Sequence, residues 1–541
     1  MYRLKSPLRV NFELTEACNN ACVHCYNFWR YQETGEKISK DNHSRDYEHF
    51  ERMLDVIIAQ EVRTVTFTGG EPLLRKDVLY PLVAKAKAAK LRVLINTNAT
   101  LLTPDDVEKL RQLQVDGYLV SLLCADETTH NAMTNANSYT RTMQGIEWLV
   151  DSGQPVSVNM VTSRDNLPYV RATAQKISDM GVFQFSATPM LSCYLSAEHE
   201  KINLTPDQVK QVMRDLVWAK TNLPMNITVL DTVVYCMFSE EERNEFDSIL
   251  GERYCCAGIS DCALSPDGDL RPCILSTDVG RNILTDGWEQ PWEKLSAWKE
   301  PSMIPSECLD CSVVGSCGGG CRAAAKARHG SYKDRDPYMT VPIVTQPSSH
   351  SQPTSIRKLE DSDVLSASSD LEWRDEPFGA MLFNGDKCVF LKDDPASFLR
   401  SLIESGPFSI SSVWKEYGVA KGDARNFFQT LVADNYNDSI HWAIPVESDT
   451  VDVLAMWAHK DAGQTYVEGL LNALSHYKSL LSKDNGLFIG DMNNNVRWDH
   501  KTKKEWQWAT YVEELRKLDK HSVWHKTKGE EHGLESVSTL F

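Results

Sequence analysis

Between about residues 9 and 190, short apolar runs alternate with amphipathic stretches. Six runs are rich in β-branched and aromatic residues and read as strands. They are RVNFELT (9–15), TVTFTGG (64–70), RVLINTN (92–98), GYLVSLLC (117–124), VSVNMVT (156–162) and FQFSATPM (183–190). Helices are expected between them. YEHFERMLDVIIAQ carries apolar residues at helical spacing. LTPDDVEKLRQL places Thr103 as N-cap and Pro104 at the first helical position, and LTPDQVKQVM repeats the device from Leu204. Such alternation implies parallel βα units with right-handed crossovers. The expected fold is α/β, an open partial (β/α)6 barrel whose chemistry lies at the C-terminal ends of its strands.

The pattern then changes. Residues 250–340 hold eight cysteines and many glycines with little periodicity, so bound metal is expected to supply cohesion. Residues 341–370 are rich in Ser, Pro and Asp and read as a flexible linker. A small winged-helix-like α+β module follows. EWRDEPFGAMLFN and KCVFLK read as strands, and PASFLRSLIESG, SISSVWKEYG and DARNFFQTLVADN as short helices. Beyond residue 440 come a strand-like VDVLAMWAH and a helix TYVEGLLNALSHYKSLL, an α/β fragment. The expected division is 1–245, 246–340, 341–370, 371–437 and 438–541.

Length and composition narrow the classes. A chain of 541 residues exceeds one hydrophobic core. No run of eighteen apolar residues suggests a membrane span, and MYRLKSPLRVNFEL lacks the apolar core of a signal peptide. A cytoplasmic location is expected, where fifteen cysteines argue for metal rather than a disulfide framework. The net charge of −18 disfavours nonspecific binding of nucleic acid or anionic membranes, and is compatible with a basic peptide.

The first cysteines are Cys18, Cys22 and Cys25, at C-x3-C-x2-C spacing directly after the first strand, with Tyr26 next. A [4Fe–4S] cube takes one thiolate per iron, so three cysteines leave one iron free to chelate an amino and a carboxylate group. A zinc site is the alternative, although zinc more often pairs C-x2-C with a second pair. At the end of the second strand, Gly69 and Gly70 permit close approach of backbone, and Glu71 and the exposed carbonyls are acceptors for an ammonium group. Taken together, the cysteine motif and GGEP resemble the radical S-adenosylmethionine (SAM) superfamily over roughly residues 7–190. That resemblance implies SAM on the open iron of a [4Fe–4S] cluster, cleaved to a 5′-deoxyadenosyl radical. It implies Tyr26 against adenine, Gly69, Gly70, Glu71 and Pro72 around the methionine amino group, and Ser121 near the ribose. Asn159 and Arg164 are further candidates for ribose or carboxylate contact; polar residues at strand ends also serve as helix caps.

A second group comprises Cys256, Cys262 and Cys273, then Cys308, Cys311, Cys317 and Cys321 at C-x2-C-x5-C-x3-C, with Gly268 at G-x4-C before Cys273. This is similar to the SPASM domain, the auxiliary-cluster extension of peptide-modifying radical SAM enzymes; a zinc ribbon is the alternative. The resemblance implies one auxiliary cluster on Cys256, Cys262, Cys273 and Cys321, and a second on Cys308, Cys311 and Cys317. The family pattern ends in one more cysteine after an Asp-Pro, and here DRDPYM has Met339 instead. The second cluster is then open at one iron, labile, or bound by Asp334, Asp336 or His329. Cys124, Cys193, Cys236, Cys255 and Cys388 are expected as small buried apolar residues, with Cys255 able to exchange roles with Cys256.

Residues 371–437 resemble the PqqD-like RiPP recognition element, which implies a leader peptide added as a strand along KCVFLK (387–392) and against DARNFFQTLV. A DNA-binding winged helix is the alternative, and the helix lacks a basic stripe. The C-terminal region resembles the second half of endonuclease/exonuclease/phosphatase folds, with Asp491, Asn493 and Asp499 as matches, and reads as an inactive remnant. The combined expectation is a maturase that installs an oxidative C–C or thioether crosslink in a ribosomal peptide, served by a flavodoxin or ferredoxin. The alternatives are oxidation of a residue in a folded protein, as in sulfatase-maturing relatives, a metal-dependent phosphodiesterase or nuclease, and a noncatalytic peptide binder.

Overall fold

The computed structural model describes residues 4–27, 45–191, 197–250, 255–276, 280–296, 303–343, 364–367, 371–384, 387–404, 408–409, 411–413 and 442–443. The chain divides into two units, Ser6–Pro347, and Met1–Lys5 with Ser348–Phe541.

In the first unit the alternating runs become β1 (Arg9–Glu13), β2 (Thr64–Thr68), β3 (Arg92–Thr97), β4 (Gly117–Ser121), β5 (Val156–Thr162), β6 (Gln184–Pro189) and β7 (Asn226–Thr228). Helices α1 (Tyr47–Ala59), α2 (Lys76–Ala88), α3 (Pro104–Gln112), α4 (Glu127–Thr134), α5 (Tyr139–Asp151), α6 (Val170–Asp179), α7 (Ala197–Ile202) and α8 (Pro206–Asn222) alternate with them. The two Thr-Pro starts are capping boxes, Thr103 with Asp106 and Thr205 with Gln208. All seven strands are parallel, in the spatial order β7-β6-β5-β4-β3-β2-β1.

After α9 (Glu240–Leu250), two further strands extend the same sheet. β8 (Asp261–Leu264) lies parallel to β1, and β9 (Leu270–Arg271) returns antiparallel to β8. Part of the cysteine-rich region is therefore built into the sheet. Short helices α10 (Glu289–Ser296), α11 (Val314–Cys317) and α12 (Arg322–His329) follow.

One face of the sheet packs under the helices. Val10, Phe12 and Leu14 alternate toward it, and Phe12 meets Phe67 at 5.8 Å and Phe50 of α1 at 5.9 Å between ring centroids. Each such buried ring contributes about 1.5–3 kcal/mol. The opposite face is polar. Register aligns Asn11 with Thr66 and Glu13 with Thr68, and sets Ser121, Asn159, Ser186 and Thr228 in one row across β4 to β7.

The second unit holds an antiparallel meander of β11 (Leu371–Glu376), β12 (Gly379–Asn384) and β13 (Lys387–Lys392), followed by α13 (Asp393–Glu404). β10 (Val364–Ala367) pairs with β14 (Phe408–Ser409) and β15 (Trp442–Ala443). The stretch expected as linker thus contains a strand, because VLSA is a short apolar run inside Ser- and Asp-rich sequence. Most of the two later helices of the module, and the region of Asp491, Asn493 and Asp499, lie outside the described residues.

Candidate cluster and cofactor site

The three-thiol loop follows β1 and is clamped from two sides. On one side lies the turn after β2. Gly70 N–H donates to the Thr15 carbonyl at 2.7 Å and Glu71 N–H to the Ala17 carbonyl at 2.8 Å. The approach is so close that a Cβ on Gly70 would lie 1.9 Å from the Ala17 oxygen. On the other side, Ala21 and Val23 N–H groups donate to the Thr134 and Met133 carbonyls at the end of α4, both at 2.9 Å. These last-turn carbonyls have no partner within the helix, so the loop satisfies them. Cys18, Cys22 and Cys25 are half-buried free thiols. The Cys18 sulfur accepts from Asn20 N–H at 3.4 Å and Asn98 Nδ2 at 3.8 Å.

The turn's carboxylate points away from this loop. Glu71 is wholly buried; its Oε1 accepts from Thr97 Oγ1 at 2.7 Å and Leu73 N–H at 3.1 Å, and its Oε2 from Asn98 N–H at 2.8 Å. The side chain caps the turn Pro72–Arg75, in which Pro72 is buried. The Glu71 carboxylate is thus engaged by Thr97, Leu73 and Asn98, and the main-chain carbonyls of the turn are the other acceptors expected there. Gly69 O already takes Asn27 Nδ2 at 3.0 Å and keeps a second lone pair.

Tyr26 is half-buried, with its phenol at Thr68 and near Glu13 and Cys25; burial raises its pKa. Glu13 and Arg271 form an ion pair at 2.5 Å with both side chains almost fully enclosed, and burial pushes Glu13 up to about 7. Ser121 is exposed at the end of β4. Asn159 is held in place, its Oδ1 accepting from Ser186 Oγ at 2.8 Å and Thr188 Oγ1 at 3.0 Å. Arg164 is exposed beyond β5, near Tyr338. Ser186 and Thr188 belong to this polar row and go unremarked in the sequence reading; their signal is the alternation of polar with apolar residues in QFSATP.

The second cysteine group separates into two places. Cys273 is half-buried beside Cys255, and desolvation pushes its thiol up to about 12. Cys321 caps α12, and Arg322 next to it lies near both Cys255 and Cys308. Cys256 turns its carbonyl to the N–H groups of Ile259, Ser260 and Asp261. Cys262 is not brought to this place. It is wholly buried in β8, in register with Val10 and within the apolar layer, where burial raises its thiol well above the ordinary range.

Cys308, Cys311 and Cys317 line one small cleft, and burial raises Cys308 and Cys317 to about 11. Cys236, expected as a buried apolar filler, is half-buried and lines the same cleft with Met339. Cys124 is buried as expected; Cys193 and the Cys388 side chain lie outside the described residues. Among the described residues, no three Cys, His, Asp or Glu side chains converge on a single-ion site. A zinc ion needs such convergence, with each sulfur about 2.3 Å from one point. A four-iron cube needs instead thiols spread around a cavity, one per iron.

A mostly parallel α/β sheet with a thiol loop and a Gly-Gly turn at adjacent strand ends defines a cofactor enzyme that works at the strand C-termini. Residues 12–177 match the radical SAM superfamily, so the chain carries a radical SAM domain, which implies SAM and one [4Fe–4S] cluster. The chain is 26% identical over 346 residues to the AdoMet-dependent heme synthase of Methanosarcina barkeri (strain Fusaro / DSM 804), covering 62% of this chain and 96% of that one. It is 26% identical over 329 residues to the mycofactocin maturase MftC of Mycolicibacterium smegmatis (strain ATCC 700084 / mc(2)155), covering 59% and 79%. In fold it is similar to the crystal structure of Streptococcus suis SuiB bound to S-adenosylmethionine, with a TM-score of 0.51 and 19% identity over 62% of this chain and 78% of that one. No helix among the described residues is long and apolar enough to cross a membrane.

Proposed function

We propose that the chain is a radical SAM oxidoreductase that matures a ribosomally synthesised peptide by an oxidative C–C or thioether crosslink. The observation that carries this reading is the pairing of a radical SAM domain, with relatives that include a peptide maturase, with a separate unit presenting an edge strand. When bound, the cluster and SAM supply a 5′-deoxyadenosyl radical that takes a hydrogen atom from the peptide. Cys18, Cys22 and Cys25 hold the cluster. The carbonyls of the Gly69–Pro72 turn orient the amino group, Tyr26 lies by adenine, and Ser121, Asn159 and Arg164 line the ribose and carboxylate end. Cys273, Cys321 and Cys255 or Cys256 carry one auxiliary cluster, while Cys308, Cys311 and Cys317 carry part of a second.

Among the described strands β13 pairs only with β12, so its outer edge is open to a leader peptide as an added strand. A flavodoxin or ferredoxin delivers electrons, and a reducing cytoplasm suits free thiolate ligands. Each crosslink removes two hydrogen atoms from the peptide: one would go to 5′-deoxyadenosine, and the other would leave as a proton, with its electron taken up by the auxiliary clusters that these cysteines would hold.

A second reading, haem-forming chemistry, is favoured by the heme synthase relative. The mycofactocin maturase relative covers 59% of this chain and the heme synthase 62%, so coverage does not separate the two readings and the experiment does.

The test is anaerobic coexpression with small open reading frames flanking the gene, with Cys22→Ala as control, read by peptide mass. A peptide lighter by two hydrogens per bond, only with Cys22 intact, is expected. Unchanged peptides together with turnover of a tetrapyrrole would replace this reading with the second.

A further inference from the structure

The cleft of Cys308, Cys311 and Cys317 receives a fourth thiol from outside the cysteine-rich region. Cys236 sits on the turn Tyr235–Met237, between β7 and α9. Apart from the four thiols and the Met339 thioether, the cleft is lined by Val, Gly and Pro residues, which offer no side-chain ligand. Met339 Sδ lies 3.8 Å from Cys308 Sγ. The next residue is tied to Cys236 twice: Thr340 N–H donates to Cys236 Sγ at 3.3 Å, and the Thr340 hydroxyl donates to the Cys236 carbonyl. The Cys236 sulfur therefore stands at the corner of the cleft where residue 339 enters it.

Packing keeps it there. Gly320 has φ +84, and a Cβ on it would lie 2.5 Å from Val234 Cγ1 and 2.6 Å from Asp336 Cβ. Only glycine lets the Cys317–Cys321 loop, the Val234 segment and Asp336 meet. The oxygen and nitrogen candidates are engaged or remote. Asp336 accepts from Cys321 N–H at 2.8 Å and Tyr338 N–H at 2.9 Å. His329 is exposed at the end of α12, and neither it nor Asp334 lines the cleft.

We propose that Cys236 is the fourth thiolate ligand of the second auxiliary cluster, supplying from the barrel side the ligand that Met339 cannot. The inference rests on the reading of Cys308, Cys311 and Cys317 as cluster ligands. On ligation the Cys236 thiol gives its proton to solvent, and the sulfur binds the fourth iron. With every iron capped by a thiolate, this cluster passes electrons and does not bind substrate through an open iron.

The test is iron and sulfide content, with Mössbauer and EPR spectra, of the anaerobically reconstituted full chain. Three cubes give about twelve irons per chain. Cys236→Ala is expected to lose about four irons or to show a three-iron cluster signal on oxidation. Cys236→Ala with Met339→Cys is expected to restore the wild-type content, a rescue that a folding defect would not give. Met339→Ala alone is expected to keep the full complement. Wild-type content and spectra in Cys236→Ala, while Cys308→Ala loses the cluster, would overturn the proposal and leave the cluster assignment standing. No loss in either variant would overturn the cluster assignment itself, and with it this proposal. A Cys236→Ala loss that Met339→Cys fails to rescue, with intact circular dichroism and added cyanide or thiol still binding the wild-type cluster, would also overturn it.

Discussion

At the residue scale, two buried titratable groups beside the cluster loop act in opposite directions. His130 on α4 accepts from Leu123 N–H through Nδ1 at 3.3 Å, so its Nε2–H donates to Ser138 Oγ at 3.1 Å. Burial lowers its pKa from 6.5 to about 4. The folded state thus binds fewer protons than the unfolded state between about pH 6.5 and 4. Its contribution, up to about 3 kcal/mol, is present above pH 6.5 and lost as pH falls toward 4. Glu13 is the reverse case: its pKa is raised from 4.5 to about 7, so the folded state holds an extra proton and stability falls as pH rises from 4.5 to 7. In the shared window the two slopes partly cancel. Thermal melts of the apo chain from pH 4.5 to 7.5 should separate them. Glu13→Gln should uncover a loss of stability toward acid, and His130→Gln should uncover a gain. Parallel melting curves for all three chains would refute both assignments. His130 matters to the site because the carbonyls of Met133 and Thr134, one helical turn on, hold the cysteine loop.

At the element scale, the contact between the loop after β1 and the turn after β2 is the part of the site most dependent on backbone shape. Gly70→Ala places a Cβ 1.9 Å from the Ala17 oxygen, main chain against main chain, and no side chain can move aside. Reductive SAM cleavage should fall by at least about 100-fold, equivalent to about 2.7 kcal/mol, with reduced iron retention. Gly153→Ala is the control: φ is +76 but nothing lies within 4 Å, so it should cost only about 1–2 kcal/mol of stability and leave cleavage unchanged. Release of 5′-deoxyadenosine and the melting temperature decide between these outcomes. Strands β1 to β6 and the Thr103 and Thr205 helix starts were legible in the sequence because each carries its own periodicity or cap. β8 and β9 were not, since four and two residues give no period; only pairing of β8 with β1, and of β9 with β8, makes them strands. Glu71 reads as a ligand in sequence because its partners, Thr97 and Asn98, come from β3 and the residue after it. Cys236 stands alone in sequence, outside any motif spacing, and only the fold brings it to three other thiols.

At the scale of the whole molecule, the division at residue 347 separates the sheet and its cysteines from the antiparallel meander. The unit Ser6–Pro347 contains the nine-stranded sheet, the Cys18 loop and both auxiliary cysteine places. Its apolar layer runs from Val10 to Cys317, and all of its described residues lie in this unit, so a chain ending at Pro347 should fold around it. The antiparallel meander with the β13 edge belongs to the other unit. If that edge captures a leader peptide, the short chain should cleave SAM at a rate comparable to the full chain yet fail to modify peptide at limiting concentration. Main-chain pairing of the leader supplies affinity rather than chemistry. Raising the peptide concentration should then recover part of the modification, because the lost binding is replaced by mass action. Peptide processing by the short chain at full efficiency would remove the meander from peptide recognition. Loss of SAM cleavage along with peptide processing would show that the two units are needed together for radical formation.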